Sequence, residues 1–104
     1  MPLDTRQRKE LRQIAHHLYP VVTVGNAGVS DAVLKELERA LADHELIKVR
    51  IHATDRETRQ ALAEAIVSAS GAELVQSIGK ILVLYRRNID ASPALSNVLR
   101  HRSH

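Results

Sequence analysis

Apolar residues early in the chain recur at the spacing of one helix face: Leu11, Ile14, Ala15 and Leu18. That spacing predicts a helix over residues 5–18, with Asp4 or Thr5 capping its start. Pro20 ends it, because the residue before a proline avoids the helical region. Val21-Val22-Thr23-Val24 is a β-branched run and reads as a short strand. A second helical stripe follows in Val33, Leu34, Leu37 and Leu41, with Ser30 as N-cap, Asp31 complementing the dipole and an end near His44. The period then changes to two. Ile47, Val49 and Ile51 alternate with Lys48, Arg50 and His52, which predicts a strand with one covered face and one basic, wet face.

Thr54-Asp55-Arg56-Glu57 has the form of a capping box, with Thr54 as the cap and Glu57 reaching back. Ala61, Leu62, Ala65, Ile66 and Ala69 would give the third helix its inner face, and Gly71 suits its C′ position. Ala72 to Ser77 reads as a strand, Ile78-Gly79-Lys80 as a tight turn or bulge, and Ile81 to Tyr85 as a strand covered on both faces or nearly so. Beyond Arg86-Arg87, Pro93 to Arg100 has the material for a short helix, and the rest reads as mobile. The order α-β-α-β-α-β-β predicts an α/β fold: a single compact domain, with helices packed mainly on one face of a four-stranded sheet. Residues 1–87 would form the domain and 88–104 a partly flexible C-terminal tail.

The 104 residues are 44% hydrophobic, enough for one domain with a real core, and that core is aliphatic, since Tyr19 and Tyr85 are the only aromatics. Two tyrosines cannot build the stacking platform of an aromatic single-strand reader, so a nucleic-acid partner would be held by backbone and shape contacts. The net charge of +3 permits an anionic partner without requiring one. The lack of cysteine removes thiolate chemistry, disulfides and cysteine-based zinc sites, and fits a reducing compartment. No apolar run is long enough to span a bilayer and the first residues lack a signal-peptide stretch, so a cytoplasmic protein with no membrane association is expected.

Gly25-Asn26-Ala27-Gly28, between the first strand and the second helix, concentrates the candidate chemistry. Its glycines permit a tight turn and close approach of the backbone to a ligand. The helix that follows presents unpaired N–H groups and a positive dipole end, which favour phosphate. A plain turn explains the same residues when the motif is taken alone. Lys48 and Arg50 would extend a basic strip across the open sheet face, with Lys80 and Arg86 at opposite ends of the last strand. Lys9 and Arg12 join them if the first helix lies beside the loop. For each of these cations singly, a solvated surface charge is an equally good reading.

Catalysis finds little support. There is no thiol, nucleophile elbow or Walker loop. Glu36, Glu38, Asp43 and Glu45 lie on or after a surface helix, with nothing to pair them into an acid/base site. His16-His17 are helix neighbours that cannot chelate one ion together, so His16 is expected to pack or hydrogen-bond near Tyr19 or Pro20. His44 suits the C-terminus of its helix. No catalytic residue, metal site or cofactor is expected.

Taken in order, several segments resemble the YhbY family, the stand-alone bacterial form of the CRM domain: Leu11-Arg12, His16 with Leu18 and Pro20, Val24 to Gly28, His44 to Arg50, Asp55 to Thr58 and Ile78 to Arg86. The resemblance implies a fold similar to the C-terminal domain of translation initiation factor three. It also implies an RNA-binding role on precursors of the large ribosomal subunit, with the G-x-x-G loop at Gly25 to Gly28. Two features set this loop apart from the KH loop with which the family's is compared: it joins a strand to a helix, and Asn26 and Ala27 are uncharged. The expected partner is RNA, in particular large-subunit rRNA or its precursor particle. The RNA-contact set is Gly25, Asn26, Ala27, Gly28, Ser30, Lys48, Arg50, Lys80, Arg86, Lys9 and Arg12, on a monomer. The alternative is a protein-interaction module that docks on a ribosomal protein or assembly factor without touching RNA.

Overall fold

Side-chain acceptors start the three long helices. Asp4 caps Thr5–Ala15 (α1): its carboxylate accepts the Gln7 N–H at 2.7 Å, and the Gln7 side chain accepts the Asp4 N–H at 3.1 Å. Ser30 Oγ accepts the Val33 N–H at 3.2 Å at the head of Asp31–His44 (α2). Arg56–Ser70 (α3) is capped by Asp55 rather than Thr54, its carboxylate accepting the Thr58 N–H at 2.9 Å. A carboxylate is favoured at the positive end of the dipole, and this one-residue shift moves Glu57 off the box position. Gly71 closes α3 in the left-handed conformation at φ 67°, as its sequence position predicts. The computed structural model describes residues 3–102.

The strands are Pro20–Val24 (β1), Leu46–Ile51 (β2), Glu73–Ile78 (β3) and Ile81–Tyr85 (β4), and a last helix is Asn97–Arg102 (α4). They form one mixed sheet in the order β1-β2-β4-β3, with β1 parallel to β2 and the other pairs antiparallel. β2 and β4 are therefore central, which accounts for the aliphatic run in β4. Ile78 pairs Ile81 across a two-residue turn, and Gly79, at φ 55°, supplies the positive φ that such a turn needs at its first central position.

The two longer helices, α2 and α3, cover one sheet face. Leu37, Leu41 and Ile66 pack there on Val22, Val24, Ile47, Val49, Ile51, Leu82 and Leu84. The other face is not bare. α1 and α4 cover part of it through Leu11, Ile14, Ala15 and Val98, on Leu46, Val75 and Val83. Lys48 and Arg50 belong to this second face, half-buried and exposed respectively.

α3 is rotated from the expected orientation. Leu62, Ala63, Ile66, Val67 and Ser70 turn inward, while Ala61, Ala65 and Ala69 are exposed. The larger aliphatic side chains gain more by burial than alanine does, and they set the angle. Residues 88–96, expected as part of a tail, lie against the domain. Both carboxylate oxygens of the buried Glu45 are used there, accepting the Asn88 N–H and the Ser96 hydroxyl, each at 2.7 Å. His44 Nδ1 is 2.8 Å from the Leu95 carbonyl, so it serves this segment rather than its own helix end.

Candidate nucleic-acid interface

The topology gathers the candidate chemistry at one end of the sheet. β1 and β2 run parallel, so the Gly25–Gly28 loop and the His52–Asp55 segment leave from the same end. Both α2 and α3 begin there, pointing two positive dipole ends the same way. The β3–β4 turn reaches the same end, where the Lys80 carbonyl accepts the Ile51 N–H at 2.7 Å and the Val24 carbonyl accepts the His52 N–H at 2.8 Å. In open α/β sheets this end of the parallel strands is where ligands commonly bind.

Within the loop, the Gly25 carbonyl accepts the Gly28 N–H at 3.0 Å and closes a four-residue turn. Gly28 has φ 78°, whereas Gly25 does not need glycine's freedom. The Ser30 N–H goes to the Gly28 carbonyl at 3.1 Å and the Ser30 hydroxyl caps α2. These groups are therefore committed inside the protein. Among the described residues, the N–H groups of Asn26, Ala27 and Val29 have no protein acceptor, and Asn26 and Ala27 are exposed at the tip. Two of these donors sit on the turn's crest and the third just after it. Asp31, in the first turn of α2, already places a carboxylate at that helix's positive end.

The basic residues divide. Arg50 pairs with Thr23 on one side and Ile81 on the other, two residues from the loop end, and Lys48 stands one step further back on the same face. Lys80, exposed in the β3–β4 turn, completes this group. Arg86 does not join it. Its guanidinium donates to the Ser70 carbonyl at 2.8 Å and pairs with Glu38 at 2.9 Å, at the far end of the α2/α3 face. Nor is α1 beside the loop: it delivers the chain to the start of β1, and the loop leaves from its end. Lys9 points away from the face buried by Leu11, Ile14 and Ala15, and Arg12 occupies the flank of α1 opposite Glu10, which pairs with Arg102 of α4.

Sequence reasoning missed three residues. Arg56 and Arg59, at the start of α3, bring further positive charge to the loop end. Arg59 donates to the Thr54 carbonyl at 2.9 Å and also lowers the Asp55 pKa, after the larger contributions of the Thr58 side chain and N–H. Their position follows only once β1 and β2 are known to be parallel neighbours. Arg8 blunts the edge strand β3 by donating to the Leu74 and Val75 carbonyls. The tyrosines form no platform. Tyr19 is 85% exposed, while Tyr85 packs beside α1, where burial first and the Glu45 charge second push its pKa up. His16 and His17 are exposed, their rings 5.4 Å apart edge to face. No helix among the described residues is long and apolar enough to cross a membrane.

Comparison with known proteins agrees with this architecture. The model of the CRS1 / YhbY (CRM) domain matches residues 3–86, which stops just short of the Glu45-bound segment. A Pseudomonas aeruginosa protein named a probable RNA-binding protein is 46% identical over 100 residues, covering 96% of each chain. A Haemophilus influenzae RNA-binding protein is 51% identical over 89 residues, covering 86% of this chain and 90% of its own. The solution structure of a Staphylococcus aureus protein superposes with a TM-score of 0.73 at 33% identity, over 85% of this chain and 92% of that one. With its α-β-α-β-α-β-β core and its glycine loop in the matched span, the chain belongs to the CRS1 / YhbY (CRM) domain family.

Proposed function

We propose that this protein binds structured RNA through its phosphate backbone, with the Gly25–Gly28 end of the sheet as the principal contact. The target we propose is rRNA in precursors of the large ribosomal subunit, the role that the YhbY resemblance implies. One observation carries the reading. The N–H groups of Asn26, Ala27 and Val29, the cations Arg50 and Lys80, and the starts of α2 and α3 share one sheet end. Backbone donors and positive dipole ends attract phosphate whatever its sequence, and cations gathered at one sheet end add to that attraction for a polyanion. The names of the relatives supply the class of partner, RNA. Lys48, further back along β2, extends the contact, whereas Arg86, held by Glu38 and Ser70, serves the fold.

Gly25→Asp is the informative substitution. A Cβ at Gly25 meets nothing within 4 Å and the backbone needs no positive φ, so the fold tolerates the change. Gly28→Asp is strained by φ 78°, and a loss of binding there would mix charge with stability. Fluorescence anisotropy on a structured rRNA fragment should show weakened binding by Gly25→Asp with an unchanged circular dichroism spectrum. Unchanged affinity in the folded variant would remove the loop from the contact.

A further inference from the structure

On the α2/α3 face, α3 leaves the β3–β4 hairpin partly uncovered, and a groove of about 710 Å³ runs between them. Its helical wall is built from two rows at i, i+4 spacing: Arg56, Gln60, Glu64 and Ser68 outermost, and Arg59, Ala63 and Val67 deeper. Ile51, Leu74 and Leu82 make an apolar floor. Ser77 and Gly79 stand on the hairpin side.

We infer that this groove holds one unpaired nucleotide of the bound RNA, its base on the apolar floor and its phosphate at the Arg56–Arg59 end. The inference rests on the RNA-backbone reading above and names a second site for the same ligand. Charge complementarity selects the occupant. Both guanidiniums lie at the loop end of the groove, and the lone lining carboxylate, Glu64, is two helical turns from Arg56. Arg59 spends its hydrogen bonds on neutral carbonyls, Asp55 is committed to capping α3, and Glu57, its nearest acidic neighbour in sequence, does not line the groove. The Gln60 amide and the Ser68 and Ser77 hydroxyls offer both donors and acceptors to the polar edge of a base. The volume falls in the range of roughly 300–1,000 Å³ usual for small-ligand sites.

α3 also links the groove to the loop. A Cβ on Gly28 would lie 3.8 Å from the Leu62 side chain, so α3 seats the loop on one flank and walls the groove on the other. An RNA strand leaving the loop passes Arg56 on its way to the groove. Bases paired in an A-form duplex cannot enter, since that helix does not offer their flat faces, so the occupant is a bulged or looped nucleotide.

The chain has no cysteine, so Ser77→Cys on the hairpin and Ser68→Cys on the helix each create a unique attachment point for N-ethylmaleimide. The probes are two RNA hairpins with the same stem, one carrying a single bulged nucleotide, and the readout is the ratio of their affinities. The unmodified proteins should prefer the bulged RNA by about tenfold. Either adduct should bring the ratio near one while leaving the affinity for the plain stem intact. An unchanged ratio in the adducts overturns the groove assignment while the backbone reading stands. No bulge preference in the unmodified protein also overturns it, the result expected if the groove instead receives a protein side chain. Failure to bind either RNA removes the backbone reading itself, and the groove assignment with it.

Discussion

Glu45 shows how much one side chain can fix. It follows α2 with φ 60° and ψ −47°, a conformation that L-residues rarely adopt, and is only 4% exposed. Three connections hold it there. Its carboxylate accepts from Asn88 and Ser96, its N–H donates to the Leu41 carbonyl at 2.9 Å, and its carbonyl accepts the Arg86 N–H at 2.9 Å. Removing the carboxylate leaves two donors of the 88–96 segment without their acceptor, so Glu45→Ala should cost on the order of 2 kcal/mol. Glu45→Gly loses the same carboxylate but relieves the positive φ, and should be about 1 kcal/mol more stable than the alanine variant. Urea denaturation of the two decides it, and an alanine variant as stable as the glycine one would show that the backbone stores no strain. None of this was legible in the sequence, where Glu45 reads as one more carboxylate after a surface helix. Its burial depends on residues more than 40 positions away.

Among the elements, periodicity located α2 and β2 well, although α1 and α4 cover part of the second face of β2. α2 and β2 lie where their apolar spacing puts them, within a residue at each end. The departures in α3 come from competition among candidates. Two adjacent residues could cap, and the charged one does; two apolar stripes could turn inward, and the bulkier one does. The Asp55 cap has a pH signature. Contacts with Thr58, with Arg59 adding to them, hold its carboxyl below the ordinary 3.8. A carboxyl whose folded pKa is depressed stabilises the fold fully above its unfolded pKa, and loses that contribution as pH falls through the folded value. Thermal melts should therefore fall more steeply below about pH 4 for the wild type than for Asp55→Asn. Parallel curves would mean that the cap carries no charge-dependent stability.

At the scale of the whole molecule, the sheet separates two tasks. One end collects the loop, two helix starts and the cations Arg50, Lys80, Arg56 and Arg59; the other is closed by Glu45, α4 and the Arg86–Glu38 pair. Strand order determines this division, and strand order cannot be read from periodicity. Hence Arg86 and Lys80 received the same role although the sequence already puts them at opposite ends of the last strand, and Arg56 and Arg59 went unnoticed. Because α4 lies at the end remote from the loop, ending the chain after Arg87 should separate stability from binding. The truncated protein loses the burial of Val98 and both Glu45 partners, and should be less stable by about 2 kcal/mol or more. Its RNA salt dependence should match that of the full chain at a temperature where both are folded; a shallower slope would place phosphate contacts on the C-terminal segment.

The central claim is a phosphate contact at the glycine-loop end, and a salt series of RNA affinity for the wild type and Gly25→Asp tests it most directly. Each phosphate contact lowers log affinity by about 0.7 to 0.9 per tenfold rise in salt. The account predicts a steep wild-type slope, and a folded Gly25→Asp protein that binds more weakly with a slope shallower by about one contact. A flat wild-type slope, or a variant indistinguishable from wild type in both affinity and slope, would contradict it.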